Sequence, residues 1–250
     1  MILSFFSDIL VFVMRLDQAL VFRNLYPTRA KAVAAVKAGL VTVNGKKAEK
    51  PSFSVLDADV ISADKLPYSV GRGSLKLSHA LRYFGVIVQD SVCLDVGAST
   101  GGFTAVLLEN GAKKVYAVDV GTDQLVPELR NDERVVSLER TDIRELSPLV
   151  SVDLIVIDVS FVSLTNIIEF LPDWSAKTII ALIKPQFEVP RDVAAKFNGV
   201  IKSSDWHDWS IHRVVNAFVD VGFDCVGITE SPVKGGSGNT EFLACFKLKK

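Results

Sequence analysis

Hydrophobic positions along this chain follow two different rhythms, and each rhythm predicts its own unit. In the first, Leu16 to Phe22 has the spacing of a short amphipathic helix. Thr28 suits the N-cap of a second helix, Arg29 to Ala38, with Gly39 just past its end. Val41-Thr42-Val43 alternates into Asn44-Gly45, a strong hairpin signal, and Val60-Ile61 reads as the returning strand. Two helices and a small sheet predict an α+β unit of about 50 residues, near the lower limit for independent folding.

The second rhythm is one of continuous apolar runs rich in Val and Ile. They lie at Val92–Val96, Val115–Val118, Val135–Leu138, Leu154–Ile157, Thr178–Ile183, Cys225–Thr229 and Phe242–Lys247. Runs of this kind mark parallel strands covered on both faces. Helical patterns such as Gly102–Glu109 and His207–Val221 lie between several of them. The alternation predicts a doubly wound, Rossmann-like α/β sheet. Between the two rhythms, Pro67 to Ser74 with Gly71 and Gly73 reads as a linker, extended here to residue 76. The first thirteen residues, MILSFFSDILVFV, are apolar but lack a basic segment and a cleavage site, and they are too short to span a bilayer. They read as an N-terminal arm, or as lying ahead of a true start at Met14. The expected order is therefore an extension over 1–13, a front unit over 14–66, a linker over 67–76 and a large α/β domain over 77–250.

Charge sharpens this division. The chain carries a net charge of only -1, and 49% of its residues are hydrophobic, which excludes a disordered chain. From Met14 to Leu66, however, nine basic residues face five acids, giving +4, while the remainder from Pro67 is -4. A basic front unit on an acidic body points to a polyanionic partner. Arg15, Arg29, Lys31, Lys46 and Lys47 are the candidate phosphate contacts; a merely solvated face is the alternative, and their grouping in one small unit favours contact. The three cysteines, Cys93, Cys225 and Cys245, sit in apolar runs without CxxC or histidine spacing. That excludes a disulfide framework and a zinc site, and predicts a reducing, cytoplasmic setting with no metal.

The chemistry begins at Asp95-Val96-Gly97-Ala98-Ser99-Thr100-Gly101-Gly102, which follows one apolar run and opens a helix. Asp119 ends the next run. Glycines let a backbone approach a ligand, and an acid after the second strand accepts ribose hydroxyls. A dinucleotide would want glycine where Ser99 stands. A hydrolase elbow is formally present in Gly97-Ala98-Ser99-Thr100-Gly101, but only His207 and His212 follow it, both in a helical pattern. S-adenosylmethionine has no phosphate to cradle, and Asp95, Gly97 and Asp119 suit it. Asp142, past the third strand, either meets the adenine edge or caps a helix. Phe161 and Phe187 either stack on a splayed base or fill the core, and the core reading is preferred because Phe is readily buried. Trp174, Trp206 and Trp209 read as packing or surface residues.

Taken together, these motifs resemble the TlyA family of ribosomal RNA 2′-O-methyltransferases, sometimes labelled hemolysins, from Met14 to the end. The front unit is similar to the αL RNA-binding domain through Arg15-Leu16-Asp17, Thr28-Arg29-Ala30-Lys31, Gly39 and Val43-Asn44-Gly45. The body resembles FtsJ-type methyltransferases through the glycine turn with Phe103-Thr104, and through Asp158-Val159-Ser160-Phe161, Lys184-Pro185-Gln186-Phe187-Glu188 and Gly238-Asn239-Thr240-Glu241. Gly71-Arg72-Gly73-Ser74 departs from the family's more usual Ser-Arg-Gly-Gly. The resemblance implies S-adenosylmethionine as cofactor and a catalytic tetrad of Lys76, Asp158, Lys184 and Glu241. It adds Ser99, Gly101 and Phe103 to the cofactor contacts and Arg72 to the RNA contacts. It also implies cytidine in ribosomal RNA or ribosomal subunits as substrate, with no membrane role.

The tetrad makes chemical sense on its own. Asp158 and Lys184 both follow apolar strands, at the carboxyl ends where open α/β sheets hold ligands. Methyl transfer to a hydroxyl needs alignment and a proton acceptor. A lysine accepts a proton only when neutral, which burial or a neighbouring cation favours. Lys184 is the expected base, Lys76 the neighbouring cation, and Asp158 and Glu241 the groups that orient them. Two ordinary salt bridges at a sheet edge are the alternative. For the whole chain, a non-catalytic RNA-binding protein and a membrane-lytic protein remain as other readings.

Overall fold

Thr28 and Gly39 bracket the second helix of the front unit as their chemistry requires. The Thr28 hydroxyl accepts the Lys31 N–H at 3.3 Å. Gly39 sits at φ +74°, in the left-handed region, which turns its own N–H and that of Leu40 back onto Val36 and Ala35. The computed structural model describes residues 2–6, 9–26, 28–63, 72–148 and 150–249. They form two units, Met1–Pro67 and Tyr68–Lys250.

The front unit runs β1 (Ile2–Phe6), β2 (Ile9–Arg15), α1 (Leu16–Phe22), α2 (Arg29–Ala38), β3 (Val41–Val43), β4 (Lys46–Lys47), β5 (Ser54–Leu56) and β6 (Ile61–Ala63). Asn44 and Gly45, both at positive φ, turn β3 into β4, and β6 returns along the other side of β3. Leu16 and Leu20 from α1, Ala32 and Val36 from α2, and Val41 and Val55 from the strands fill its core. Residues ahead of Met14 are mostly in strands: β1 pairs with β2, and β2 continues through Met14 and Arg15 against β5.

The second unit runs α3 (Arg72–Phe84), β7 (Val92–Val96), α4 (Gly102–Glu109), β8 (Lys114–Val118), α5 (Pro127–Arg130), β9 (Val135–Leu138), β10 (Leu154–Ile157), β11 (Thr178–Ile183), α6 (Pro185–Glu188), α7 (Arg191–Lys196), α8 (Ser204–Asp220), β12 (Phe223–Glu230) and β13 (Phe242–Leu248). Its sheet has the order β12-β13-β11-β10-β7-β8-β9. Five neighbouring strands, β9 to β11, are parallel, but β13 enters antiparallel between β11 and β12. The apolar runs do not disclose that inversion, because a strand buried on both faces looks the same in either direction.

Residues 72–76 correct the expected linker, because they are helical. Leu77, Ala80 and Leu81 are buried, and Phe84 packs beside them, completing an i, i+3, i+4, i+7 stripe that outweighs the glycines before it. Residues 67–71 of the linker lie outside the described residues. Trp174 is fully buried, in keeping with packing. Burial pushes the Cys93 and Cys245 thiols up to about 12 and about 11, so both are inert as nucleophiles.

Candidate active site

Sheet register brings the site together. Val96 lies opposite both Val118 and Ile157, so the residues that follow, Gly97, Asp119 and Asp158, emerge side by side. The chain leaves β7 toward β8 on one side and has β10 on the other, which makes this the switch point of the sheet. On the far side Ile183 pairs with Phe242, so Lys184 and Glu241 leave β11 and enter β13 at one level.

The glycine turn is built by its backbone. Gly97 has φ +83°, and a Cβ there would stand 2.7 Å from the Asp158 carbonyl oxygen. Only glycine lets the turn and the Asp158 backbone approach this closely. Asp119 accepts the Ser99 N–H on Oδ2 and the Gly121 N–H on Oδ1, each at 2.7 Å. One N–H on each oxygen leaves further lone pairs for hydroxyls. Glu139, just after β9, accepts the N–H groups of Asp123, Gln124 and Leu125 and thereby fixes the loop beyond Asp119. Nothing in the sequence singled out Glu139; its position just after a parallel strand was the available signal. Ser99 and Phe103 line the cleft, and Gly101 caps α4 at φ +97°.

One expected cofactor contact, Asp95, is placed elsewhere, and Asp142 takes up a capping role. Asp95 is fully buried: the Thr104 hydroxyl donates to its Oδ2 at 2.6 Å, and its Oδ1 has no partner. Burial, with smaller contributions from Asp158 and Asp119, pushes its carboxyl up to about 7. As a residue inside β7, it is directed under α4 rather than into the cleft. Asp142 accepts the Arg144 guanidinium at 2.6 Å and the Arg144 N–H at 3.0 Å, capping a turn at residues 143–145. Arg144 holds its carboxyl below the usual range, in keeping with the capping alternative; neither Asp142 nor Asp119 is among the residues lining the cleft.

Lys76, Asp158, Lys184 and Glu241 do converge, in a cleft of about 620 Å³. The Lys184 Nζ lies 2.6 Å from Asp158 Oδ1, Lys76 Nζ lies 4.0 Å from Asp158 Oδ2, and Lys76 Nζ donates to Glu241 Oε2 at 2.7 Å. Both lysines and Glu241 are buried. The result is a chain that alternates lysine and carboxylate, Lys184–Asp158–Lys76–Glu241. Ser160 accepts from Lys184 at 2.8 Å, and Gln186 donates to Glu241 at 3.3 Å. Both stand in motifs already noted, but strand-end motifs alone did not reveal whom they touch.

Phe161 corrects the core reading. The residue is 92% exposed beside the cleft, its φ is +65°, and its ring lies 5.2 Å from the ring of half-buried Phe187. In the front unit, buried Asp17 binds Arg15 at 2.9 Å and Arg29 at 3.0 Å, holding two partly exposed guanidinium groups together. Lys31, Lys46 and Lys47 are exposed. The Arg72 side chain lies outside the described residues.

The residues fit S-adenosylmethionine. The turn from Gly97 to Phe103 offers backbone and no charged side chain, and Asp119 supplies oxygens for a ribose. Comparison with known proteins agrees. A family model described as FtsJ-like methyltransferase matches residues 69–248, and one described as S4 domain matches residues 14–61. The chain is 41% identical to the 16S/23S rRNA (cytidine-2′-O)-methyltransferase TlyA of Mycobacterium tuberculosis, over 92% of this chain and 88% of that protein. It is also 41% identical to Hemolysin A of Brachyspira hyodysenteriae, over 93% of this chain and 99% of that protein. A solved structure described as a candidate hemolysin from Streptococcus thermophilus matches 95% of this chain and 89% of its own, at 41% identity and a TM-score of 0.70. Among the described residues, no helix is long and apolar enough to cross a membrane, and no cluster of metal-ligating side chains occurs.

Proposed function

The chain belongs to the TlyA family of FtsJ-like methyltransferases, and on that premise we propose how it methylates a ribose 2′-hydroxyl of ribosomal RNA. The cofactor is S-adenosylmethionine, which when bound supplies an electrophilic methyl group on a cationic sulfur. The glycine turn with Ser99, Gly101 and Phe103 holds it, and Asp119 takes its ribose hydroxyls.

The observation that carries the reading is the alternating chain of two lysines and two carboxylates at the carboxyl ends of the strands. A neutral amine has two hydrogens and one lone pair. Asp158 Oδ1 and Ser160 Oγ occupy two directions around Lys184 Nζ. The third direction is left for the proton of the target hydroxyl, which Lys184 accepts as general base. Asp158 holds both amines, and Glu241 fixes Lys76 beside them. Their burial keeps water from competing for the hydroxyl's place.

The front unit supplies the grip on RNA. Asp17 holds Arg15 and Arg29 as a pair, and Lys31, Lys46 and Lys47 add to the basic surface of this unit; Arg72, in the second unit, is a further candidate phosphate contact. Phe161 and Phe187 offer aromatic faces to a splayed base beside the cleft. The substrate is cytidine in ribosomal subunits, and the setting is the cytoplasm.

Incubation with labelled S-adenosylmethionine and undermethylated ribosomal subunits tests this. Label on a ribose 2′-oxygen of one mapped cytidine is expected. Absence of transfer to either subunit and to their naked RNA overturns it.

A further inference from the structure

Glu188 ends α6 in the same motif as Lys184, yet it takes no part in the chain of lysines and acids. It is a buried carboxylate, 1% exposed, and its bonds reach back to the loop after β10. Leu164 N–H donates to its Oε1 at 2.9 Å, and the Ser163 hydroxyl donates to its Oε2 in a short bond. Ser163 Oγ lies 2.8 Å from Thr165 Oγ1. Arg213 of α8 donates to the Glu188 carbonyl at 3.0 Å and to Thr165 Oγ1 at 3.1 Å. Burial holds the carboxyl above its usual range against the pull of these bonds. Leaving such a group unpaired is costly, so the bonds fix where the loop runs.

That loop and α6 carry the two halves of the transfer site. Asp158, Ser160 and Phe161 stand on the loop; Lys184, Gln186 and Phe187 stand on β11's end and α6. The two segments are stitched twice. Lys184 reaches Asp158 and Ser160 ahead of Phe161, and Glu188 reaches Ser163 and Leu164 behind it. Phe161 lies between the stitches, in the left-handed region at φ +65°, with its ring exposed. A bulky side chain keeps such a backbone only where its surroundings over-determine it. Lys184 serves chemistry, which leaves Glu188 as the dedicated fastening.

We propose that Glu188 is a positioning residue: it holds residues 159–164 so that Phe161 faces Phe187 and a nucleotide seated there meets Lys184. The inference rests on the methyl-transfer reading. It assigns Glu188 to the nucleic-acid side of the site and not to the cofactor side, since its partners belong to neither the glycine turn nor the Asp119 loop.

Full-length Glu188→Ala, Glu188→Gln, Ser163→Ala and the Ala/Ala double variant test it beside the unmodified protein. In Glu188→Ala, KM for RNA rises roughly tenfold, the scale of one charged hydrogen bond, while calorimetric affinity for S-adenosylmethionine stays within about twofold. Glu188→Gln, which keeps shape and an acceptor for Leu164, recovers most of the loss. Ser163→Ala shifts KM the same way and less, and the double variant is no worse than Glu188→Ala, because the two changes cut one connection. Hydrogen exchange speeds at residues 159–164 and not across β10 and β11. Unchanged RNA KM with a lowered melting temperature would make Glu188 a plain core group and overturn the proposal, as would equal loss of cofactor affinity. Should Glu188→Ala fail to fold, Ser163→Ala and Glu188→Gln carry the same readouts. A failure of the unmodified protein to methylate would strike the functional reading itself, whereas the exchange pattern still decides the fastening.

Discussion

The two sides of the cleft are made from different materials. The side proposed for the cofactor is backbone: a turn in which a Cβ on Gly97 would stand 2.7 Å from the Asp158 carbonyl oxygen, and an Asp119 anchored by two N–H groups. The side proposed for transfer is side chain: four charged groups from α3, the end of β10, the end of β11 and the start of β13, linked to one another and to Ser160 and Gln186. A backbone site is specified by neighbours in sequence and tolerates most side-chain changes outside its glycines. A side-chain site is specified by the fold, and each member depends on the others. Substitutions on the two sides should therefore fail in different kinetic parameters.

Lys184 gives the largest expected effect. Lys184→Ala should lower kcat by about 10²–10⁴, the usual cost of losing a general base. Cofactor affinity by calorimetry should change little. Lys184→Arg separates base from ion pair: guanidinium keeps a partner for Asp158 but stays protonated. It should be nearly as inactive as the alanine variant. An active arginine variant would reduce Lys184 to a positioning charge and make the transfer side purely electrostatic.

Asp119 is the counterpart on the other side. Asp119→Ala should weaken S-adenosylmethionine by roughly 1.5–3 kcal/mol, or about 10–150-fold in Kd, the range for hydrogen bonds to a charged group. At saturating cofactor, kcat should fall far less than in the Lys184 variants. Equal damage to both parameters would erase the distinction between the two sides.

The same distinction explains what the sequence disclosed. The Asp95–Gly102 turn, Asp119 and the apolar runs are local patterns, and all seven strands of the large sheet follow from those runs. The tetrad needed the family resemblance as well as strand ends, because Lys76 and Glu241 are 165 positions apart. Asp95 misled for a local reason: an acid beside glycines looks like a ligand contact, but inside β7 its side chain goes under α4 to Thr104. Asp142 takes the capping role that its sequence position left open, with Arg144 two positions on as its partner. Phe161 misled in the opposite direction, because neither its exposure nor its positive φ can be read from composition. The inversion of β13 and the fastening by Glu188 are tertiary facts with no local trace.

The front unit extends the side-chain principle to RNA, with a smaller expected effect. Lys46 and Lys47 form β4, and both are exposed. Replacing both by alanine should raise KM for ribosomal RNA several-fold and leave kcat unchanged. It should also flatten the dependence of log affinity on log salt by about 0.7–0.9 for each phosphate that is no longer neutralised. A double variant with an unaltered salt slope would mean these lysines form only a solvated face.

The smallest effect concerns Asp95, and it asks whether the cofactor side rests on backbone alone. Its carboxyl is pushed up to about 7 by burial, from an ordinary value of 3.8. Below both values, folded and unfolded chains are protonated alike, and Asp95 does not alter stability. As pH rises between them, the unfolded chain releases this proton while the folded chain keeps it, so stability falls across that window. Above about 7 the folded chain carries a buried carboxylate whose Oδ1 has no partner, and the cost is at its full value. Asp95→Asn stays neutral throughout, and its amide oxygen can still accept from Thr104. The variant should therefore melt higher than the unmodified protein near pH 8, by at least about 2 °C, the shift that 1 kcal/mol gives in a chain of this size. The two melting temperatures should converge as pH falls toward about 4. Cofactor affinity should remain close to normal, because the side chain is walled off beneath α4. A large loss of affinity in a stabilised variant would return Asp95 to the cofactor contacts, and the turn would then owe its grip to a buried charge as well as to its backbone.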